Sequence, residues 1–591
     1  MKQSLVFLIN LFFLHIAGAQ SSLHQLPDVK NAIGRNPVKI DDVIRVNREM
    51  KTNPQKSRAA DLKVSVNTLK TIEEGEAFIA MNPTDSNKLV LCYAERSAAG
   101  LSFPVFTTDN GGQTWTQSAF DALTYLQDDF PGGVLRGGGN PVFAYDKDGK
   151  LYFSWTYMAS NITSLDTIHA CMYLAHSIDD GISWNIATGP DRFIGRSVID
   201  STTYIAFANS EGYYERPWLA VDQSNGINEN SLYSSFVYHP NISEASGLNG
   251  IFVKKKVISS TGFNAAKKQV FSGAAQFGNV AVDSNGKLHV TFIDIDSQRV
   301  LHAVSTDGGN NFSTPHVIGI GTNLMGAQGN GFIHNYENSA VNLCIDGSNN
   351  LHVVWSDFPV NPNVNYDSYY SRSTDGGTNW SPPILLSSKF LPGIKVLMPT
   401  ICAYKNKISI GGYAIDFNKV SDYYMITSNN QGTSWLPSRK VSTQSTYFAD
   451  TSNLGKRFGE YFSAVRNQTN VYQIWSDGRD TSGPKMYVSV THEWSTGVSE
   501  VTPVNSSFIL EKYYPVPTTD QLNLTFKSTE PNNLKLSITT MDGSIVQQQS
   551  SKISMGTSTI QIPIHSVAAG NYILNIESED GFVFTRMIHK D

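Results

Sequence analysis

Residues 305–312 read STDGGNNF and residues 373–380 read STDGGTNW. Three further stretches follow the same pattern: TDNGGQTW at 108–115, SIDDGISW at 177–184 and SNNQGTSW at 428–435. The shared form is Ser/Thr-x-Asp/Asn-x-Gly-x-x-Trp/Phe, and its chemistry is that of a hairpin turn. The Asp or Asn side chain accepts hydrogen bonds from backbone amides two residues ahead, the glycine takes a positive φ, and the aromatic ring packs beneath the turn. One copy says little, but five at near-regular intervals mark a repeat architecture.

A longer repeat surrounds each turn. An apolar strand, a D-x-x-G or N-x-x-N turn and a strand of alternating aromatic and aliphatic residues recur at 76–95, 141–157, 216–238, 278–294, 340–357, 399–416 and 459–477, seven units in all. The aromatic residues of the five turns are 69, 128, 68 and 55 positions apart, so the 128 spans two periods, with a worn copy expected near SSTGF at 259–263. The seventh unit runs out after KMYVSVT at 485–491, and LKVSVN at 62–67 has the alternation needed to supply its missing outer strand. Such a closure removes exposed sheet edges. The turn pattern resembles the Asp-box, or BNR repeat, of sialidases and related β-propellers. That resemblance implies an all-β propeller; the repeat count favours seven blades, with the six of sialidases as the alternative.

Composition excludes several classes. With 40% hydrophobic and 11% aromatic residues the chain has a globular core. A net charge of −6 leaves no basic stripe, so no nucleic acid is expected as a partner. Lys2, the apolar run 5–16 and Ala17-Gly18-Ala19 have the three-part form of a secretory signal over 1–19. Asn10 and His15 interrupt that run, which is too short for a bilayer, so no transmembrane segment is expected in the mature chain. Residues 20–60, with eight Lys/Arg against four Asp/Glu and no strand periodicity, read as a polar leader or propeptide. The propeller is expected over 61–500, with a linker at 501–507.

Cys92, Cys171, Cys344 and Cys402 each sit among apolar neighbours and read as buried thiols; Cys344 and Cys402 fall on equivalent strands of adjacent units. His169, His176, His289, His302 and His352 alternate along strands without zinc spacing, and no helix follows Gly137 to Gly139 to make a phosphate loop. Neither metal nor cofactor is expected.

From residue 508 the rhythm changes to a short all-β pattern: YYPVP at 513–517, LNLTF at 522–526, LKLSITTMDGSIV at 534–546, STIQIPI at 558–564, AAGNYILNIES at 568–578 and FTRMIHK at 584–590. The alternation predicts a small C-terminal β-sandwich. Its order of motifs closely resembles the type A sorting domain of the type IX secretion system of Bacteroidota, departing at Val516, where that family has Asn. The resemblance implies the secretion machinery as partner and the outer cell surface or the extracellular space as destination.

Chemistry in a propeller gathers at the axial mouth, so charged residues at the ends of inner strands are the candidates. They include Glu95, Arg96, Arg136, Glu215, Arg216, Asp294, Asp296, Glu337, Asp357, Asp416, Arg457, Glu460, Tyr461, Asp477, Arg479 and Asp480. A sialidase-like glycoside hydrolase needs arginines to hold a carboxylate, an acid for the leaving oxygen and a tyrosine activated by a glutamate. The resemblance therefore points to Tyr461, Glu460 and Asp477 as catalytic residues and to Arg216, Arg457, Arg479, Arg96 and Arg136 as binders of a glycan ligand. The Phe/Tyr-Arg-Ile-Pro stretch of sialidases has no arginine counterpart in EEGEAFIAMNP at 73–83. Against these roles stand structural ones: Arg216 paired with Glu215 or Asp222, and Asp294, Asp357, Asp416 and Asp477 as recurrent turn caps. The alternatives to a hydrolase are a non-catalytic glycan-binding or adhesion propeller and a protein-binding platform.

Overall fold

The computed structural model describes residues 33–39, 61–63, 73–324, 340–357, 367–447, 458–492, 508–514, 520–540, 545–578 and 583–590, with short gaps at 98–99, 264–265, 392–393, 417–419 and 480–482. The expected signal segment 1–19, most of the leader 20–60 and the linker 501–507 lie outside them. The chain divides into two compact units, Met1–Thr491 and His492–Asp591.

The described residues of the first unit form seven antiparallel sheets of four to six strands. Their inner strands are Glu73–Met81, Val134–Tyr145, Tyr213–Val221, Ala275–Val282, Asn342–Ile345, Lys395–Tyr404 and Ala464–Arg466. Each inner strand packs against the next, and the seventh packs against the first, so the sheets close a propeller ring. The second strands, such as Leu288–Asp294 (LHVTFID) and Leu351–Asp357 (LHVVWSD), are buried along almost their whole length because neighbouring sheets cover both faces.

The repeated turns join the third and fourth strands. At Ser305 the hydroxyl accepts the Gly309 amide at 2.9 Å and donates to Asp307 Oδ1 at 2.8 Å, and Asp307 Oδ1 accepts the amide of Asn311 at 2.9 Å. The same set recurs at Ser373, Asp375, Gly377 and Asn379 and at Ser177, Asp179, Gly181 and Ser183. The amide bound lies four residues ahead of the acid, not two: the serine hydroxyl holds the intervening glycine and widens the loop. The SSTGF stretch occupies the same connection in the third sheet, between Gly250–Lys256 and Lys268–Ser272, and keeps its buried Phe263.

Asp61–Lys63 pairs antiparallel with Lys485–His492 as the outer strand of the seventh sheet. Glu74 fastens that sheet to the first: its fully buried carboxylate stands 3.4 Å from the equally buried Lys485 ammonium and accepts the Met486 amide at 2.7 Å. Glycine is required where the two sheets meet. A Cβ on Gly75 would lie 2.8 Å from the Phe458 carbonyl oxygen, and Gly459 holds φ 105° against Glu76.

Part of the stretch expected as a polar leader forms a strand. Ile33–Lys39 pairs with the Val134–Gly137 end of the second sheet's inner strand, on the edge opposite Leu151–Asn161 and thus facing the axis. Strand addition at an edge runs through main-chain hydrogen bonds, which is why no side-chain alternation announces it.

The second unit stacks a three-stranded sheet, Phe508–Tyr514, Gln521–Ser528 and Gly556–Pro563, on a four-stranded one, Asn532–Thr539, Ile545–Ile553, Gly570–Ser578 and Val583–Lys590. Leu522, Leu524, Leu536, Leu574 and Ile576 are among the side chains of its separate core. No helix among the described residues is long and apolar enough to cross a membrane.

Candidate functional site

The inner strands are interrupted at equivalent points. Register shifts fall at Gly75/Phe78, Gly139/Val142, Glu215/Trp218, Gln276/Asn279 and Leu397/Thr400. Within each lies a residue of left-handed backbone: Glu76, Asn140, Arg216, Phe277 and Met398, with φ from 51° to 59°. Such residues cost about 1 kcal/mol or more apiece, and bulges of this kind re-aim side chains. Here they turn Glu76 and Arg216 toward the axis. Sequence reasoning missed this ring, although Pro141, Pro217 and Pro399 repeat just after three of its members.

Arg216 is 5% exposed and crosses the axis. Its Nη2 donates at 2.8 Å to Oε2 of Glu460, just ahead of the seventh sheet's inner strand, and its Nη1 donates to Gln276 Oε1 of the fourth sheet at 2.6 Å. The guanidinium lies 4.0 Å over the Phe277 ring, and burial lowers its pKa from the ordinary arginine value. Glu76 is held likewise: Oε1 accepts Arg96 Nη2 at 2.6 Å and Oε2 accepts the Asn140 amide at 2.9 Å.

Tyr461, two residues beyond Gly459, is buried. Its hydroxyl donates to the Pro141 carbonyl at 3.0 Å, and burial pushes its pKa well above the usual tyrosine range. Trp218 meets the Tyr461 ring edge-on at 5.5 Å and the Phe78 ring at 5.4 Å, so aromatic side chains of the first and third sheets and of the segment leading into the seventh plug the axis.

The other expected site residues lie apart from this cluster. Asp477 is 1% exposed; it accepts from the Thr446 hydroxyl, from Trp475 Nε1 at 2.9 Å and from Arg479 Nη2 at 2.6 Å. Arg479 also stacks 4.2 Å over Tyr487. Arg136 donates to Ser160 Oγ at 3.1 Å and to the Leu165 carbonyl at 2.8 Å. Asp294 accepts from Ser297 and Asp416 from the Val420 amide, each closing a local loop, whereas Asp357 accepts the amides of Thr322 and Asn323, which follow the last strand of the fourth sheet, and so ties the fourth sheet to the fifth. Arg216 pairs most closely with Glu460 rather than with Glu215 or Asp222, its Nε standing 3.7 Å from Glu215. Arg457, Glu337 and Asp480 lie outside the described residues. Cys92, Cys171 and Cys402 are buried free thiols and Cys344 is half-buried. No group of metal-ligating side chains occurs among the described residues.

At the opposite end, beyond the aromatic plug, a cavity of about 800 Å³ opens among the turns that join first and second strands. Phe78, Trp218, Asn279, Asn342, Tyr404 and Arg466 are among its lining residues.

Residues 512–590 match the family described as the secretion system C-terminal sorting domain. No curated protein matches the chain. Among solved structures, a protein of unknown function from Dyadobacter fermentans is 12% identical, covering 73% of this chain and 98% of its own, with a TM-score of 0.41. A Hadza microbial sialidase is 11% identical over 68% of this chain and 73% of its own, with a TM-score of 0.33. An α-L-arabinofuranosidase from Fusarium graminearum is 11% identical over 71% of this chain and 93% of its own, at 0.35. Likeness at this level assigns no activity.

Proposed function

We propose that this chain is an exported propeller that binds glycans without turning them over. The observation that carries the reading is the commitment of the expected catalytic group: the Tyr461 hydroxyl is buried against the Pro141 carbonyl, and the neighbouring Glu460 carboxylate is taken by Arg216. A tyrosine nucleophile must reach the reacting carbon and shed its proton, and both burial and the raised pKa work against that. Asp477, the third expected member, is bound to its own loop and to Arg479. Arginines spent in this way no longer present a fork to a ligand carboxylate.

Delivery follows from the tail. The sorting domain over 512–590 supports passage through a type IX system to the cell surface or the medium, where a propeller of paired, covered strands meets polysaccharides. The test incubates the mature full-length chain with arrayed glycans and, separately, with aryl glycosides. Retention without release of the aryl group is the expected result; steady turnover of any aryl glycoside would overturn the reading.

A further inference from the structure

We infer that the ligand seat is the cup at the turn end of the axis, opposite the end where the inner strands begin, and that it takes the end of a neutral, hydroxyl-rich oligosaccharide. The inference rests on the glycan-binding reading and adds the place and the class.

Three observations carry it. The strand-start end is occupied: Ile33–Lys39 runs along the axis-facing edge of the second sheet, and the Arg216–Glu460 pair closes the axis below. The cup at the other end is blind, floored by Phe78 and the half-buried Trp218, and its volume of about 800 Å³ falls within the range of small-ligand sites. An indole at the floor offers an apolar face of the kind a sugar ring presents on one side.

The polar groups decide the class. Asn279 Nδ2 donates to the Val341 carbonyl at 3.3 Å, and Asn342 Nδ2 donates to the Pro399 carbonyl at 2.9 Å. Each amide is fixed by the next sheet, so its orientation is set before a ligand arrives and its oxygen is the acceptor left for ligand hydroxyls. Among the described residues no Asp or Glu lines the cup, and its arginine, Arg466, already donates to Ser409 Oγ at 2.9 Å and to the Asn467 carbonyl at 3.4 Å. A cationic or strongly anionic ligand finds little here, whereas hydroxyls find carboxamides.

The experiment uses the full mature chain and a panel of neutral hexose and pentose oligosaccharides beside their uronic-acid counterparts. Tyr404→Ala with Gln468→Ala alters exposed side chains at the rim, and Thr469→Tyr on an exposed turn narrows the mouth. Unchanged thermal midpoints establish that the variants fold. Expected are binding of a neutral member and a loss of about tenfold in affinity in the cup variants, as for one or two hydrogen bonds, with Arg136→Ala at the far end unaffected. Binding lost in Arg136→Ala and kept in the cup variants would leave the glycan reading standing and overturn the placement. Preference for the uronic acids would overturn the class, and no binding to any member would overturn both readings.

Discussion

Arg216 of the third sheet and Glu460, on the segment leading into the seventh, meet across the propeller axis at 2.8 Å, both shielded from solvent. Taking two charges out of water is expensive, and the pair holds its place because Gln276 and the Phe277 ring complete the guanidinium's surroundings. Glu460→Gln strips the arginine of its nearer counter-charge, leaving Glu215 at 3.7 Å from Nε, and is expected to destabilise the first unit by about 3 kcal/mol in denaturant titration. Arg216→Met combined with Glu460→Met is expected to recover part of that loss, since the two paired charges leave together while the buried Glu215 keeps only His239, at 3.1 Å.

The ring closes through Asp61–Lys63 and the Glu74–Lys485 pair. A chain starting at residue 65 leaves the Lys485–His492 edge bare. Its thermal midpoint is expected to fall and its tendency to associate to rise, measured by calorimetry and light scattering, because an unpaired strand edge templates further pairing.

Burial holds the His302 imidazole down at about 3, against an ordinary value near 6.5, with the stacked His289 ring at a ring-nitrogen distance of 3.0 Å. Between these pH values the unfolded chain takes up a proton that the folded chain refuses, so stability falls as pH drops from about 6.5 toward 3. The slope for one such group is about 1.4 kcal/mol per pH unit. Asp307 has the depressed-carboxylate pattern: its pKa is lowered to about 2 by the Asn311 amide first of all, so its contribution is full above about 4 and lost as pH falls through about 2. His302→Gln is expected to flatten the acid-unfolding curve between about pH 6.5 and 3 and leave the part below about pH 3 unchanged.

The two units keep separate cores, so a chain ending at residue 491 is expected to retain the melting transition of the first unit. Cell fractionation of the same truncation tests the address: retention in the periplasm is expected, and normal surface delivery would remove the sorting role.

How much could be read in advance differs between scaffold and axis. The seven strand pairs inferred from spacing coincide with the first two strands of the seven sheets, because turn chemistry and strand alternation act within a few residues. Of the outer strand expected over 62–67, Leu62 and Lys63 were legible for the same reason and pair as expected, while 64–67 lie outside the described residues. The axis was not. Arg216 reaches a partner 244 positions away and Tyr461 one 320 positions away, and no local pattern encodes such meetings. Arg216 was read from the sequence both as a ligand-facing group and as half of an ion pair with Glu215 or Asp222; the ion pair forms, and the left-handed bulge at Arg216 carries it chiefly to Glu460 instead. Asn279 and Asn342 escaped notice because a carboxamide on a strand carries no catalytic signature.

Tyr461→Phe bears most directly on the central claim. The substitution removes a hydroxyl that donates to the Pro141 carbonyl and leaves the ring against Trp218. Wild type and variant are to be compared for release of the aryl group from aryl glycosides, an aryl sialoside among them, and for glycan retention. The account expects no release from either chain, unchanged glycan retention and a loss of about 1 kcal/mol in stability. Release by the wild type that disappears in Tyr461→Phe would contradict it.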